Sequence, residues 1–363
     1  MSRADWSILG TVGVPGNYGG FETLAENLVR FHARHDIDAT LSVYCSARAF
    51  ETRPARFQGA NLRYISLDAN GPQSIAYDIL SLIDAVRRRT GVILLLGVSG
   101  ALVLPFLRAF SRSRIVTNID GVEWKREKWT GIARLILRWS EWAAVRWSHV
   151  VIADNTAIAE YVREIYDTEC HVIAYGGDHA LGAEPVAVPG LVLPQGYTLS
   201  LCRIEPENNI TMILEAFVRM PDRPLVFVGN WGKSEYGRGL RARFGASPHL
   251  CLLDPIYDPG HLRWIRDGAR AYVHGHSAGG TNPSLVEMMH FGIPVVAHGC
   301  RFNRCTTEDR AAYFSSAQAL VEEVEGLDPA RASEIGCAMI EIARRRYTWE
   351  QVGRAYFDLI ERV

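Results

Sequence analysis

The stretch His274–Ala297 reads HGHSAGGTNPSLVEMMHFGIPVVA. An apolar run ending at His274 meets a loop of small residues (Ser277, Ala278, Gly279, Gly280, Thr281). A helix follows, then a second apolar run from Pro294 to Ala297. Pro283 suits the first turn of that helix, where its missing N–H is not needed, and Asn282 suits the N-cap. Strand, helix, strand in this order is a right-handed βαβ unit, which implies a parallel sheet with helices packed on it. The helix start offers free N–H groups and a positive dipole end to an anion. Glu287 follows about one turn later, placed to accept hydrogen bonds from a ribose diol.

The same alternation runs outward in both directions. Downstream of residue 196, strands are expected at Tyr197–Cys202, Leu225–Val228, Leu250–Leu253, Ala271–His274, Pro294–Ala297 and near Tyr313. Helices are expected from about Asn209, Ser234, His261, Pro283 and Ser316. Upstream, strands are expected at Trp6–Leu9, Ala39–Tyr44, Leu62–Ile65, Val92–Leu96, Arg114–Asn118, His149–Ala153 and Cys170–Ile173. Helices there begin near Phe21, Ser74, Ala101, Thr130 and Asn155. The pattern breaks at 183–196, AEPVAVPGLVLPQG, whose Pro and Gly content marks a linker. The 363 residues exceed what one core usually supports, about 250–300. Two doubly wound α/β domains are therefore expected, with a deep cleft between their strand C-terminal edges, where such sheets bind ligands.

Composition narrows the function. The chain is 48% hydrophobic and 22% charged, with 39 basic and 40 acidic residues and a net charge of −1. That balance argues against nucleic-acid backbone binding, which needs a basic excess. The seven cysteines are scattered with no CxxC, which argues against a disulfide framework and a structural zinc site and fits reduced thiols in a cytoplasm. The first residues show no signal-peptide core. Gly91–Leu107, GVILLLGVSGALVLPFL, imitates a membrane span. It is of minimal length and broken by three Gly and a Pro, so it reads as a buried strand, a turn and a helix.

Three further segments follow strands and so lie at the ligand edge. Gly10–Glu22, GTVGVPGNYGGFE, opens the first helix with five glycines. The spacing is not GxGxxG, and no acidic residue ends the next strand as a dinucleotide ribose would want. Thr117–Trp129, TNIDGVEWKREKW, gathers Asp120, Glu123, Trp124, Lys125, Arg126, Lys128 and Trp129. Carboxylates, cations and rings together suit a sugar, whose hydroxyls take charged hydrogen bonds and whose C–H face takes a ring. Leu201–Ile210, LCRIEPENNI, places Arg203 at a strand end, where a guanidinium clamps phosphate bidentately.

The run PSLVEMMHFGIPVVA resembles the signature of glycosyltransferase family four, retaining enzymes of GT-B fold. GVPGNYGGFETLAENL, NIDGVEWKREKW, RIEPENNI, VGNWGKSEYG and GGTNPSLVEMMHFG together resemble its bacterial rhamnosyltransferase subfamily, which serves capsule and O-antigen assembly. The resemblance implies an N-terminal acceptor-side domain over 1–185 and a C-terminal donor domain over 190–346. It also implies a last helix, 347–363, returning to the first domain, with Val352, Tyr356, Leu359 and Ile360 as its apolar face. The implied reaction is transfer of a deoxyhexose, L-rhamnose first among them, from a dTDP or UDP carrier. The implied acceptor is a glycan or lipid-linked glycan at the inner face of the cytoplasmic membrane, and no metal, cofactor or nucleic acid takes part. Catalytic roles fall to Asp120, Arg203 and Lys233. The donor is expected at Gly19, Gly20, Arg203, Lys233, Ile256, Gly279, Gly280, Thr281, Asn282 and Glu287, and the acceptor at Tyr18, Glu123, Trp124 and Lys125. Two positions depart from most of the family. Gly279 stands where a Glu is usual and Asn208 where a Lys is usual, both shared with the subgroup. Lys233 is the expected replacement for the missing charge, with Arg301 and Arg304 behind it.

Other features have simpler readings. Asp36-Ile37-Asp38 spells DxD but lies between a helix and a strand, at the edge away from the cleft. His274 and His276 lack acidic or Cys partners at metal spacing. Residues 131–147, GIARLILRWSEWAAVRW, read equally as a membrane-interface helix and as a packed helix with a solvated basic face. Two rivals to a transferase remain: a non-catalytic nucleotide-sugar-binding subunit, suggested by Gly279 and Asn208, and a dinucleotide-dependent oxidoreductase, suggested by the first glycine loop.

Overall fold

The computed structural model describes residues 4–16, 19–119, 121, 124 and 131–363. The chain divides into two compact units, residues 1–175 with 349–363, and residues 176–348.

The first unit is built on eight strands: β1 Ala4–Leu9, β2 Ala39–Ser46, β3 Arg56–Phe57, β4 Ala60–Ile65, β5 Val92–Leu96, β6 Arg114–Asn118, β7 Val150–Ala153 and β8 His171–Val172. Their order is β3-β4-β2-β1-β5-β6-β7-β8. Neighbours are parallel except β3 and β4. Helices α1 Gly20–Arg34, α2 Ser74–Arg87, α3 Leu104–Phe110, α4 Gly131–Trp147 and α5 Thr156–Tyr166 connect them. Strand β5 explains the apolar run at 91–107. All five of its residues are buried between β1 and β6, and a strand covered on both faces reads as continuous hydrophobe. A short 3₁₀ turn, Ala101–Val103, then leads into α3. Among the described residues, no helix is long and apolar enough to cross a membrane.

The hairpin β3–β4 has no counterpart in the sequence expectations. It turns on Gln58 and Gly59, both at positive φ (44° and 86°). This is the backbone of a two-residue I′ turn, where Asn-Gly is the usual signal and Gln-Gly is not.

The second unit is one fully parallel sheet of β9 Thr198–Leu201, β10 Leu225–Val228, β11 Leu250–Leu253, β12 Ala271–His274, β13 Val295–His298 and β14 Ala312–Phe314. Its order is β11-β10-β9-β12-β13-β14. Its helices are α6 Ile210–Val218, α7 Glu235–Phe244, α8 Pro259–Asp267, α9 Pro283–Met289, α10 Arg301–Thr307, α11 Ala317–Glu325 and α12 Pro329–Arg346. Five of them start under side-chain caps, from Ser234, Asp258, Asn282, Ser316 and Asp328. The Pro/Gly stretch 183–196 lies within this unit. Val186 N–H donates to the Gly260 carbonyl (3.0 Å) and the Arg263 guanidinium to the carbonyl of Leu181 just before the stretch (2.7 Å), so α8 holds its start in place.

The last helix, α13 Trp349–Arg362, belongs to the first unit. It lies on α1: the Phe357 ring meets Trp6 edge-on at 4.7 Å and Phe31 at 5.3 Å. Asn118 Nδ2 donates to the Tyr356 hydroxyl (2.7 Å). A Cβ on Gly353 would sit 2.4 Å from the Phe31 ring, so the two helices approach as closely as a glycine allows.

Candidate functional site

In the second unit the strand order reverses between β9 and β12. This is the position where the loops leaving two neighbouring strands diverge and leave a ligand crevice. The loops there are tied together. Asn208 Nδ2 donates to the Arg203 carbonyl (2.7 Å), and Asn208 Oδ1 receives His276 Nδ1 (2.7 Å). Asn209 Nδ2 donates to the Gly275 carbonyl (2.8 Å). The backbone N–H and the hydroxyl of Ser277 both reach the Glu207 carbonyl, each at 2.9 Å. The loop after β10 joins them, because Asn230 Oδ1 accepts from the Ile204 N–H (2.6 Å). Three strand-end loops thus form one cross-bonded platform.

Arg203 stands on this platform with its side chain 38% exposed and a long ion pair to Glu205 (3.5 Å). Lys233, after β10, is exposed. Ile256, after β11, is half-buried. Gly279 adopts φ 107°, a conformation costly for any residue with a Cβ. Gly280 and Thr281 are buried. Asn282 caps α9, its Oδ1 accepting from the Ser284 N–H (3.0 Å) and hydroxyl (2.8 Å). Arg304 is engaged elsewhere: it lies 4.1 Å over the Tyr313 ring and pairs with Asp309 (2.9 Å). Arg301 opens α10 and is exposed.

Glu287, expected to face a ribose, sits between two basic side chains of its own unit. Its carboxylate pairs with Arg266 of α8 and lies 3.3 Å from His179 Nε2. Both partners of the Arg266 pair are nearly buried, with side chains 7% and 13% exposed. Burial alone would raise the Glu287 carboxyl; the Arg266 guanidinium and then His179 outweigh it and hold the group below its ordinary range. The 3₁₀ turn Asp178–Leu181, which carries His179, packs on both α8 and α9. Glu287 therefore joins three elements of the second unit.

Two other motifs have these settings. His274 Nδ1 lies 3.1 Å from the Tyr272 hydroxyl. Burial, with His276 and His298 nearby, drives its pKa well down and keeps it neutral. The Asp36–Asp38 pair is exposed between α1 and β2. It sits at the N-terminal edge of the strand, away from the ligand edge, and Asp36 is in the left-handed region (φ 47°). Among the described residues, no group of three or more His, Cys, Asp or Glu is arranged to hold a metal.

In the first unit the corresponding reversal lies between β1 and β5. Gly10 (φ 84°) leaves β1 so close to β5 that a Cβ would sit 1.9 Å from the Leu96 carbonyl oxygen. The following loop is folded back by acids on α1. Glu22 Oε1 accepts from the Val12 N–H (2.9 Å) and the Thr11 hydroxyl (3.2 Å), and Glu26 Oε2 accepts from the Gly16 N–H (2.7 Å). Gly19 crowds Glu22 in turn, since a Cβ there would sit 1.9 Å from its Oε2. Two amides of the described loop, those of Val12 and Gly16, are taken by carboxylates, and their negative charge disfavours a dinucleotide pyrophosphate here. Gly20 begins α1.

Asp78, absent from the sequence expectations, sits beside this loop. Its neighbour Tyr77 donates to the Thr11 carbonyl (2.9 Å), and Asp78 itself accepts from the Ser99 hydroxyl after β5. Burial pushes its carboxyl up to about 7, against the opposing pull of that hydrogen bond. Its partner is 21 residues away, so no local pattern marks it. Trp124 is half-buried, with the Arg138 guanidinium 5.5 Å from its ring. Tyr18, Asp120, Glu123 and Lys125 lie outside the described residues.

Residues 4–178 match a family model described as a domain of unknown function, DUF1972. No curated protein matches the chain in sequence. Among solved structures it is similar to sucrose-phosphate synthase from Thermosynechococcus elongatus (16% identity, TM-score 0.83, 99% of each chain covered). It is also similar to a glycosyltransferase from Rickettsia africae (11%, 0.71, 100% of this chain and 99% of that one). A third is HepE of Anabaena in complex with UDP and glucose (14%, 0.71, 99% of this chain and 100% of that one). Identities this low speak for fold: the chain has the parallel-sheet α/β fold, in two Rossmann-like units, of the GT-B glycosyltransferases, as its sequence implies.

Proposed function

We propose that the chain is a glycosyltransferase taking its sugar from a nucleoside diphosphate held by the second unit. The observation that carries this is the cross-bonded platform at the β9/β12 reversal. It presents a half-exposed Arg203 and a glycine turn, 279–280, leading into the Asn282 cap. Arg203 and Lys233 neutralise the diphosphate as its bond to the sugar breaks, where fixed positive groups lower the barrier most. The acceptor hydroxyl passes its proton to the departing phosphate oxygen, and the sugar keeps its anomeric configuration, as the resemblance implies. Asn208, where a Lys is usual, spends its side chain on bracing Arg203 and His276, which leaves Lys233 to supply the charge.

In the first unit, Glu22 and Glu26 take the Val12 and Gly16 amides of the glycine loop, which favours sugar hydroxyls over a dinucleotide pyrophosphate there, beside the Gly19–Gly20 helix start expected to face the donor. The finer reading follows the resemblance: a deoxyhexose, L-rhamnose first, moves from a dTDP or UDP carrier to a lipid-linked glycan, with Asp120 orienting the sugar or acceptor and no metal required.

The test is a donor screen by mass spectrometry, with purified protein and crude lipid-linked acceptors, in buffer with and without EDTA. Transfer or slow hydrolysis of a deoxyhexose nucleotide, undiminished by EDTA, supports the whole reading. Thermal stabilisation by a nucleoside diphosphate without turnover of any donor would favour the non-catalytic subunit. Activity lost to EDTA and restored by manganese would remove the metal-free step.

A further inference from the structure

Helices α3 and α4 pack on one another, and Arg108 of α3 donates to the Trp147 carbonyl at the end of α4 (3.1 Å). Each carries an apolar stripe that stands exposed among the described residues. On α4, Ile132, Leu135, Trp139 and Trp142 recur at helical spacing, with Ile132 77% and Trp139 54% exposed. On α3, Phe106 and Phe110 stand one turn apart, 69% and 87% exposed. Single exposed hydrophobes are ordinary; contiguous ones mark a contact surface.

The exposed charge on the two helices themselves has one sign. Residues 97–119 contain no acid, and 131–147 contain only Glu141. Glu141 is buried and accepts the hydroxyls of Tyr161 (2.7 Å) and Tyr166 (2.6 Å). The exposed charges of the two helices and the turn after α3 are Arg108, Arg112, Arg134, Arg138 and Arg146. His149 registers the local field: burial, then Arg108 and Arg114, push it down to about 4. This concentration occurs in a chain of net charge −1.

We propose that the α3–α4 face docks on the surface of an anionic lipid bilayer, with Phe106, Phe110, Ile132 and Trp139 in the interface and the arginines among the headgroups. Aromatic and aliphatic side chains framed by arginine are the composition of helices that lie in a membrane interface. A span is excluded by size, since α3 has 7 residues and α4 has 17 with three arginines. A second copy of the chain would bring arginine against arginine. The proposal goes beyond the transferase reading and stands without it.

The test is co-sedimentation of the full chain with vesicles of phosphatidylcholine alone and of phosphatidylcholine with an equal mass of phosphatidylglycerol, at low and high salt. Binding is expected to the anionic vesicles and to weaken with salt. Phe106→Ser with Phe110→Ser should lower the partition coefficient at least about tenfold, from lost apolar burial. Arg112→Glu with Arg134→Glu should lower it by about fivefold or more per site, on anionic vesicles only. Hydrogen exchange on the unaltered protein provides an independent measurement, with slowing expected in 102–114 and 131–147 when anionic vesicles are added. Failure to bind anionic vesicles, binding that both variants retain, or exchange protection elsewhere on the chain would overturn the proposal. So would self-association abolished by the Phe substitutions. Because the assay reads partition and not turnover, its failure leaves the transferase reading untouched.

Discussion

Removing the Glu287 carboxylate should destabilise the second unit more than it weakens any ligand. In Glu287→Ala, Arg266 is left with a buried guanidinium, whose Nε already lacks a partner, and no counter-ion. Breaking one side of a buried pair costs about 3–5 kcal/mol. For a unit of this size, residues 176–348, each kcal/mol is worth roughly 2–4 °C, so the melting temperature should fall on the order of 10 °C. Replacing both members, Arg266→Met with Glu287→Leu, should recover most of that loss, since an apolar pair of similar volume carries no desolvation penalty. Acid provides a second handle. The Glu287 carboxyl is held below its ordinary 4.5, so its stabilisation is complete above that pH and is lost as pH falls through the lower folded value. The double variant should lack this part of the acid sensitivity. Calorimetric melting reads the stability, and nucleoside diphosphate titration well below the melt reads the site. A Glu287→Ala protein that melts within about 2 °C of the parent, less than the loss of 1 kcal/mol would produce, refutes the ion-pair reasoning. If that protein also binds nucleotide more weakly by about 1.5–3 kcal/mol, the scale of a charged hydrogen bond, the carboxylate acts on a ribose instead.

Asp78→Asn should flatten the neutral-range stability profile: with the carboxyl raised from 3.8 to about 7, the native state holds a proton the unfolded chain has lost, so wild-type stability falls between about pH 4 and 7. The loss is up to about 4 kcal/mol, readable by urea midpoints across that range, and equal slopes for variant and parent would contradict it. Asp120→Asn should reduce turnover about 10²-fold if the carboxylate orients a reacting sugar, whereas a residue that only caps a turn would tolerate Asn, with rates within about threefold by mass-spectrometric assay. Deleting residues 349–363 uncovers the seats of Val352, Phe357, Leu359 and Ile360, each about 1.5–3 kcal/mol. That total rivals a domain's whole stability, so soluble protein melting normally would be the refuting outcome.

Much of the sheet can be read from sequence for a physical reason. Parallel strands buried on both faces, such as β5 and β10, appear as unbroken apolar runs, and the caps at Asn155, Ser234, Asn282 and Ser316 mark helix starts. Helix α10 escapes notice because it is 7 residues long with no side-chain cap. Helix α12 also goes unpredicted, although Asp328 caps it, since its arginine-rich run weakens the apolar contrast. In the site, Arg203, Gly279 and Asn282 are visible because loop chemistry is local. The partners that decide Glu287 (Arg266, His179), Asp78 (Ser99) and Asn208 (His276) come from other elements, and only the fold brings them together.

The placement of α13 has a consequence for synthesis. The first unit draws on both ends of the chain, with residues 176–348 translated in between. At about 5–20 residues per second that insertion takes roughly 10–35 s. Throughout it, Trp6 and Phe31 wait for Phe357. The second unit, contiguous in sequence, can close on the ribosome first. The nascent N-terminal half meanwhile carries an uncovered apolar face, a target for holdase chaperones until the last fourteen-residue helix emerges.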